Sequence, residues 1–340
     1  ANTLPALFDA LETFIAANGW TIDESRTVSE WPRFHKNSCY VGFRYDGTSP
    51  LASGRSMGVY QSKTFDPSPA RPGSAASGDS GSGADDQVGT ITDGTIDNQR
   101  CVTSIGDGPF NYWFFEHDDG TIYYVHVVLE VRQGEYRHFG FGKITKFGDW
   151  GPGASGGEYC FGTRNETGVA AGDSSFFFEG GNGVVSSESV DSAATILMNG
   201  LPAQQASDWA TFLNWNTLIP YVGSLDRAGL QRNRLTGNAR GGPQWRAKGW
   251  FKGYPGFTGI IPLTAPTVFY MDMTNLRSYM LGEMPDVRMC NIAQFDPQEE
   301  VTIGSDTWVF FPFTKKGTLG GNTTLSDSYF YGVAYRKEVT

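Results

Sequence analysis

Residues 110–146 constrain this fold more than any other part of the chain. Tyr123, Val125, Val127, Leu129 and Val131 fall on one side of an extended backbone, and Ile122, Tyr124, His126, Val128 and Glu130 on the other. The first side is wholly apolar and the second is mixed, the pattern of a strand covered on both faces. Turn chemistry brackets it. His117-Asp118-Asp119-Gly120 closes a hairpin from a strand at 110–116, and Gln133-Gly134-Glu135 turns the chain back into a third strand at 136–147. In that third strand His138, Gly140 and Gly142 share a face opposite Phe139, Phe141 and Lys143, and glycines on a strand face admit close approach of backbone or ring.

The rest of the chain is read around this meander. Leu4, Leu7, Phe8, Leu11, Phe14 and Ile15 recur at helical spacing and predict an amphipathic helix over 3–18. Thr3 can cap its start, Pro5 fits the first turn and Gly19 can close the end. Further strands are predicted at 39–45 (ended by Asp46-Gly47), 157–163, 174–179, 306–313 and 328–335. A short helix is predicted near 206–213, and a strand followed by a short helix over 265–281. The composition agrees with short strands joined by Gly-rich turns: 44 Gly and 14% aromatic residues against 18% charged. The expected fold is mainly β, a sandwich or barrel-like core with a few helices, forming one domain over 1–340 with long insertions. Residues 66–98, dominated by Gly, Ser, Pro, Ala and Asp, are expected to form a flexible loop, and 223–258 an extended one.

Charge narrows the function classes. The net charge is -10, so a groove for a polyphosphate backbone is not expected. Arg227, Arg232, Arg234, Arg240 and Arg246 form the one basic stretch and read as a solvated loop or subunit contact. Acidity also argues against an anionic membrane surface, and no run of eighteen apolar residues occurs. The opening residues lack the basic start and apolar core of a secretion signal, so a soluble protein made inside the cell is expected. Cys39, Cys101, Cys160 and Cys290 stand far apart, without a CxxC pair, and read as buried thiols.

The chemical motifs are weak. Gly78-Asp79-Ser80-Gly81 looks like a trypsin-type nucleophile sequence but sits in the low-complexity stretch, where a triad has no rigid support. Gly172-Asp173-Ser174-Ser175 is weaker still. His126 and His138, with Glu130 or Asp118, make a conceivable metal site, against the plainer reading of half-buried histidines satisfying hydrogen bonds. Glu116, Asp118 and Asp119 make conceivable paired acids of a glycosidase, although hairpin turns favour Asp for backbone reasons. The expectation is no catalytic residue, no metal and no cofactor. Trp245 and Trp250, in a polar Gly-rich loop, are the candidate binding residues, for a neighbouring subunit or for a glycan.

Two stretches carry a resemblance. One runs from Tyr124-Val125-His126-Val127-Val128-Leu129-Glu130 through Tyr136-Arg137-His138-Phe139-Gly140-Phe141-Gly142 to Gly156-Gly157-Glu158-Tyr159-Cys160. The other is Leu281-Gly282-Glu283-Met284-Pro285-Asp286-Val287-Arg288 followed by residues 302–313. With the helix ending in Asn18-Gly19-Trp20, they resemble virion structural proteins of tailed bacteriophages, from the neck, collar or tail. The resemblance implies a particle component made in the bacterial host cytoplasm. It implies assembly with itself as a homo-oligomer and with other virion proteins, and it carries no active-site residues. A carbohydrate-binding or host-receptor recognition module is the alternative, and a hydrolase of surface polysaccharide a third.

Overall fold

The structure is a computed structural model of the 340-residue chain. It describes residues 3–26, 32–45, 56–62, 101–104, 111–150, 156–162, 194–197, 209–212, 263, 265–272, 277–312, 316 and 331–337. The stretches 66–98 and 223–258 and the strand expected at 174–179 lie outside the described residues, as do Trp245 and Trp250.

The chain opens with helix α1 (Leu4–Ala17). The Thr3 hydroxyl accepts the Ala6 N–H at 3.3 Å, Pro5 occupies the first turn, and Gly19 takes a left-handed φ of +75° beyond the last turn. Leu4, Leu7, Phe8, Leu11 and Ile15 are buried along one stripe. Each contributes ~2 kcal/mol of apolar burial. The cap is worth ~1 kcal/mol, so packing holds the helix more than capping does.

A five-stranded antiparallel meander follows: β1 (Thr21–Glu24), β2 (Arg33–Lys36), β3 (Cys39–Tyr45), β4 (Ser56–Ser62) and β5 (Cys101–Ser104), in that spatial order. The central meander is β6 (Asn111–Asp118), β7 (Tyr123–Arg132) and β8 (Glu135–Lys143). The chain then departs from the sequence expectation. The third strand does not continue to 147. It ends at Lys143, and β9 (Thr145–Lys146) pairs in a different sheet. The Ile144 N–H donates to the Gly157 carbonyl, so the strand break is set by a partner distant in sequence.

β10 (Glu158–Gly162) returns to pair with β8, and β11 (Ala194–Leu197) and β12 (Trp209–Phe212) extend the second sheet in the order β12-β11-β10-β8-β7-β6. β12 replaces the helix expected near 206–213. The short run Trp-Ala-Thr-Phe, with β-branched and aromatic members, pairs antiparallel with β11, and that pairing outweighs local helix propensity. The strand expected from 265 is present as β13 (Thr267–Asp272), but β14 (Arg277–Glu283) pairs with it in place of the short helix expected next, and with β9 the two make a small third sheet. β15 (Val287–Asn291), β16 (Glu300–Ile303), β17 (Asp306–Pro312) and β18 (Tyr331–Lys337) form the fourth, ordered β15-β18-β17-β16.

The second sheet is the middle layer. Its Tyr123, Val125, Val127, Leu129, Phe139, Phe141 and Cys160 pack into one core with α1 and with Phe34, Cys39, Val41, Phe43, Met57 and Val59 of the first sheet. Rings knit this core edge to face: Phe8 on Phe43 at 5.3 Å, and Trp20 on Phe141 at 4.9 Å between centroids. The opposite face of the same sheet meets the fourth sheet, where Phe115 stacks on Tyr335 at 4.9 Å and Trp113 lies 5.2 Å from Phe311. The fold is therefore mainly β with one helix near its start among the described residues, and its central strand is covered on both sides.

Candidate functional site

The mixed face read in β7 and β8 is where the polar chemistry of the core collects. Tyr124 pairs with Gly142, His126 with Gly140 and Val128 with His138, so both histidines lie on that face, diagonally related. Both are fully buried. The His126 ring stacks on Tyr124 at 4.3 Å and lies 5.4 Å from Phe161 and 5.8 Å from Tyr335. Gly140 makes room for it. A Cβ there would sit 2.6 Å from the His126 ring, 2.8 Å from Phe161 and 2.8 Å from the Val125 carbonyl oxygen.

The hydrogen bonds fix the tautomers. His138 Nε2 lies 3.0 Å from the Pro312 carbonyl, which can only accept, so Nε2 carries the proton. Its Nδ1 then accepts from the Tyr335 hydroxyl at 2.9 Å. His126 Nε2 is bonded to the Tyr159 hydroxyl, and His126 Nδ1 has no partner. If the ring donated, both the phenolic proton and Nδ1 would lack partners. Donation from Tyr159 leaves only Nδ1–H unpaired and is the cheaper arrangement. Burial pushes the Tyr159 and Tyr335 phenols well above their usual range and pushes His126 well below its own, so all three are neutral near pH 7.

At the rim, the Tyr124 hydroxyl donates to Asp286 Oδ2 at 2.9 Å, and Arg336 donates to Asp286 Oδ1 at 3.1 Å. Arg336 also lies 3.2 Å from Asp306. The hydrogen bond to Asp286 holds the guanidinium above its ordinary value despite partial burial. These bonds tie β7 to the turn before β15 and to β18.

A second polar group lies on the other side of the fold. Glu158 is fully buried at the start of β10 and accepts from the Ser38 hydroxyl and the Gly156 N–H. Burial raises its carboxyl above the usual range, against these hydrogen bonds and Lys143, whose Nζ is 4.0 Å away. Ser38 sits in the turn between β2 and β3, so this contact pins the first sheet to the second.

The other sequence candidates can now be placed. Asp118 and Asp119 serve the β6–β7 turn. Asp118 accepts from Gly120 N–H and Asp119 from Thr121 and Ile122 N–H, all within 2.8 Å. Burial raises Asp118, but Lys36, 2.6 Å away, and Gly120 outweigh it. The Ile122 and Thr121 N–H groups lower Asp119. Both carboxyls are held below their ordinary value, the wrong direction for a general acid at neutral pH. His126 and His138 each bond a tyrosine. Among the described residues no group of three or more His, Cys, Asp and Glu side chains could hold a metal ion. Cys39, Cys160 and Cys290 are buried thiols, Cys39 Sγ donating to the Gly142 carbonyl and Cys160 Sγ to the Val59 carbonyl. Trp113 is half-buried against Tyr136 and Phe311, and Trp150 donates to the Leu281 carbonyl at 2.8 Å beneath Lys146. Gly78–Gly81, Gly172–Ser175 and the five arginines between 227 and 246 lie outside the described residues. Among those residues no helix is long and apolar enough to cross a membrane.

Sequence reasoning missed the partners of both histidines. Tyr335 is 197 residues from His138 and Asp286 is 162 from Tyr124. One signal was present: Tyr159 and Phe161 alternate around Cys160, which puts them together on one face. No family model matches the sequence, and no curated protein matches it.

Proposed function

We propose that the chain is a non-enzymatic structural subunit of an assembled particle, the virion of a tailed bacteriophage. In this reading it acts by self-association and by contact with neighbouring neck, collar or tail proteins. The observation that carries the reading is how the buried ionisable side chains are used. His126, His138, Tyr159, Tyr335 and Glu158 all bond across strands or between sheets. None is left at the surface in a form suited to exchanging protons with a substrate. These bonds hold strands and sheets together, as the interior of a building block requires. Two blocks that carry the likeness to phage virion proteins, at 124–142 and 302–313, also include strands that face each other across the second and fourth sheets.

The sequence supplies the other half of the argument. Residues 66–98 and 223–258 are long, rich in Gly and poor in aliphatic side chains, and 223–258 contains Trp245 and Trp250. Segments of this kind gain order when a neighbour supplies the surface they lack. The test is to delete residues 70–95 and follow folding and assembly separately. Assembly is expected to weaken while the thermal unfolding midpoint stays within a few degrees of the full chain. Unchanged assembly would remove this loop from the mechanism.

A further inference from the structure

We propose that His126 makes the join between the second and fourth sheets acid-labile, so that a proton on its ring lifts the fourth sheet while α1 and the first sheet stay folded on the opposite face. The geometry starts with the unpaired Nδ1 of a ring with no exposed surface. Around it stand Phe115, its pair on β6, Tyr124 on β7, Gly140 on β8, Tyr159 and Phe161 on β10, and Tyr335 on β18. His117 stacks on Tyr124, and His138 and Phe311 of β17 pack on Tyr335. Of the carboxylates that reach these neighbours, Asp286 is engaged by Tyr124 and Arg336, and Asp119 lies 3.7 Å from His117. Neither carboxylate bonds the His126 ring, and burial alone governs its protonation.

A proton arriving at Nε2 ends the hydrogen bond that Tyr159 donates there; the phenol can turn to accept, but its own proton and the Nδ1–H are then both unpaired. The charge has no carboxylate to pair with, and a buried unpaired charge costs far more than a surface one. Water is the only available relief. It cannot arrive through the second sheet, whose other face is sealed by α1 and the first sheet. It must come from the face that β17 and β18 cover. His138 differs, because both its ring N–H groups would have acceptors once protonated, the Pro312 carbonyl and the Tyr335 oxygen. The lability therefore belongs to His126.

Hydrogen exchange of the full chain between pH 7.5 and 5 tests this, corrected for intrinsic rates. Below the ordinary histidine value of 6.5, protection of the Phe310, Phe311, Ala334 and Tyr335 amides should fall about tenfold per pH unit, the signature of one linked proton. The Leu11 and Ile15 amides of α1 should keep their protection. His126→Gln, which retains an acceptor for Tyr159, should abolish the pH dependence, and His126→Phe should do the same while keeping the stacked ring. Equal loss in α1 and in the fourth sheet would mean global unfolding and overturn the proposal. So would an unchanged pH dependence in a folded variant. If both variants fail to fold, the His126 ring resonances of the wild type decide. Titration of the ring with β17 and β18 still protected would overturn the proposal, and loss of protection in step with titration would uphold it.

Discussion

Replacing Gly140 with alanine is the most direct probe of the packed histidine face. The added methyl carbon would stand 2.6 Å from the His126 ring, 2.8 Å from Phe161 and 2.8 Å from the Val125 carbonyl oxygen. All three distances lie well inside van der Waals contact. The two rings can give a little, but the carbonyl belongs to the neighbouring strand and cannot move without breaking the β7–β8 ladder. Inserting one methyl group into a well-packed core costs about 1–3 kcal/mol, and the backbone contact puts this site at the upper end or beyond. Urea unfolding monitored by tryptophan fluorescence should show a loss of about 3 kcal/mol with an unchanged denaturant slope. The double variant Gly140→Ala/His126→Ala should cost less than the sum of the single changes, because the smaller side chain vacates space the methyl can use. A Gly140→Ala cost below about 0.5 kcal/mol, within the range of ordinary surface changes, would refute the close approach of β7, β8 and β10.

Other consequences follow from the same bonds. Tyr335→Phe removes the donor to His138 Nδ1 and should cost about 1–3 kcal/mol in unfolding experiments, whereas a neutral result would contradict that hydrogen bond. Asp118 has a folded pKa below 3.8, so its contribution is present above that value and is lost as pH falls through the lowered one. Asp118→Asn should flatten the acid limb of stability below pH 3.8. Thr3→Ala should cost about 1 kcal/mol through loss of the α1 cap, read as a shift in the unfolding midpoint.

How far the sequence foretold this structure depends on the range of the forces involved. α1 was legible because its periodic apolar stripe and its Thr3, Pro5 and Gly19 signals all lie within one segment. The β6–β8 meander was legible for the same reason: alternation and turns are local. The end of β8 was not, because Ile144 breaks the strand by bonding Gly157 rather than through any residue of its own. β14 stands where a short helix is expected at the end of 265–281, because its partners are distant: Gly282 lies where a Cβ would come 2.2 Å from the Thr145 carbonyl, an approach made by β9. β15 and β16 went unread because their runs are short and only their pairing with β18 and β17 defines them. In the candidate site the two histidines and the glycine beside them were visible. The histidines' bonds to Tyr335 and Pro312, and the bond of Tyr124 to Asp286, were not, since no local pattern links residues so far apart.

The proposed role requires this chain to associate with itself. Light scattering of the purified 340-residue chain across a concentration series measures that association. The prediction is a single defined oligomer of several 37.1 kDa copies, stable on dilution. A chain that stays at the mass of one copy at every concentration would contradict it.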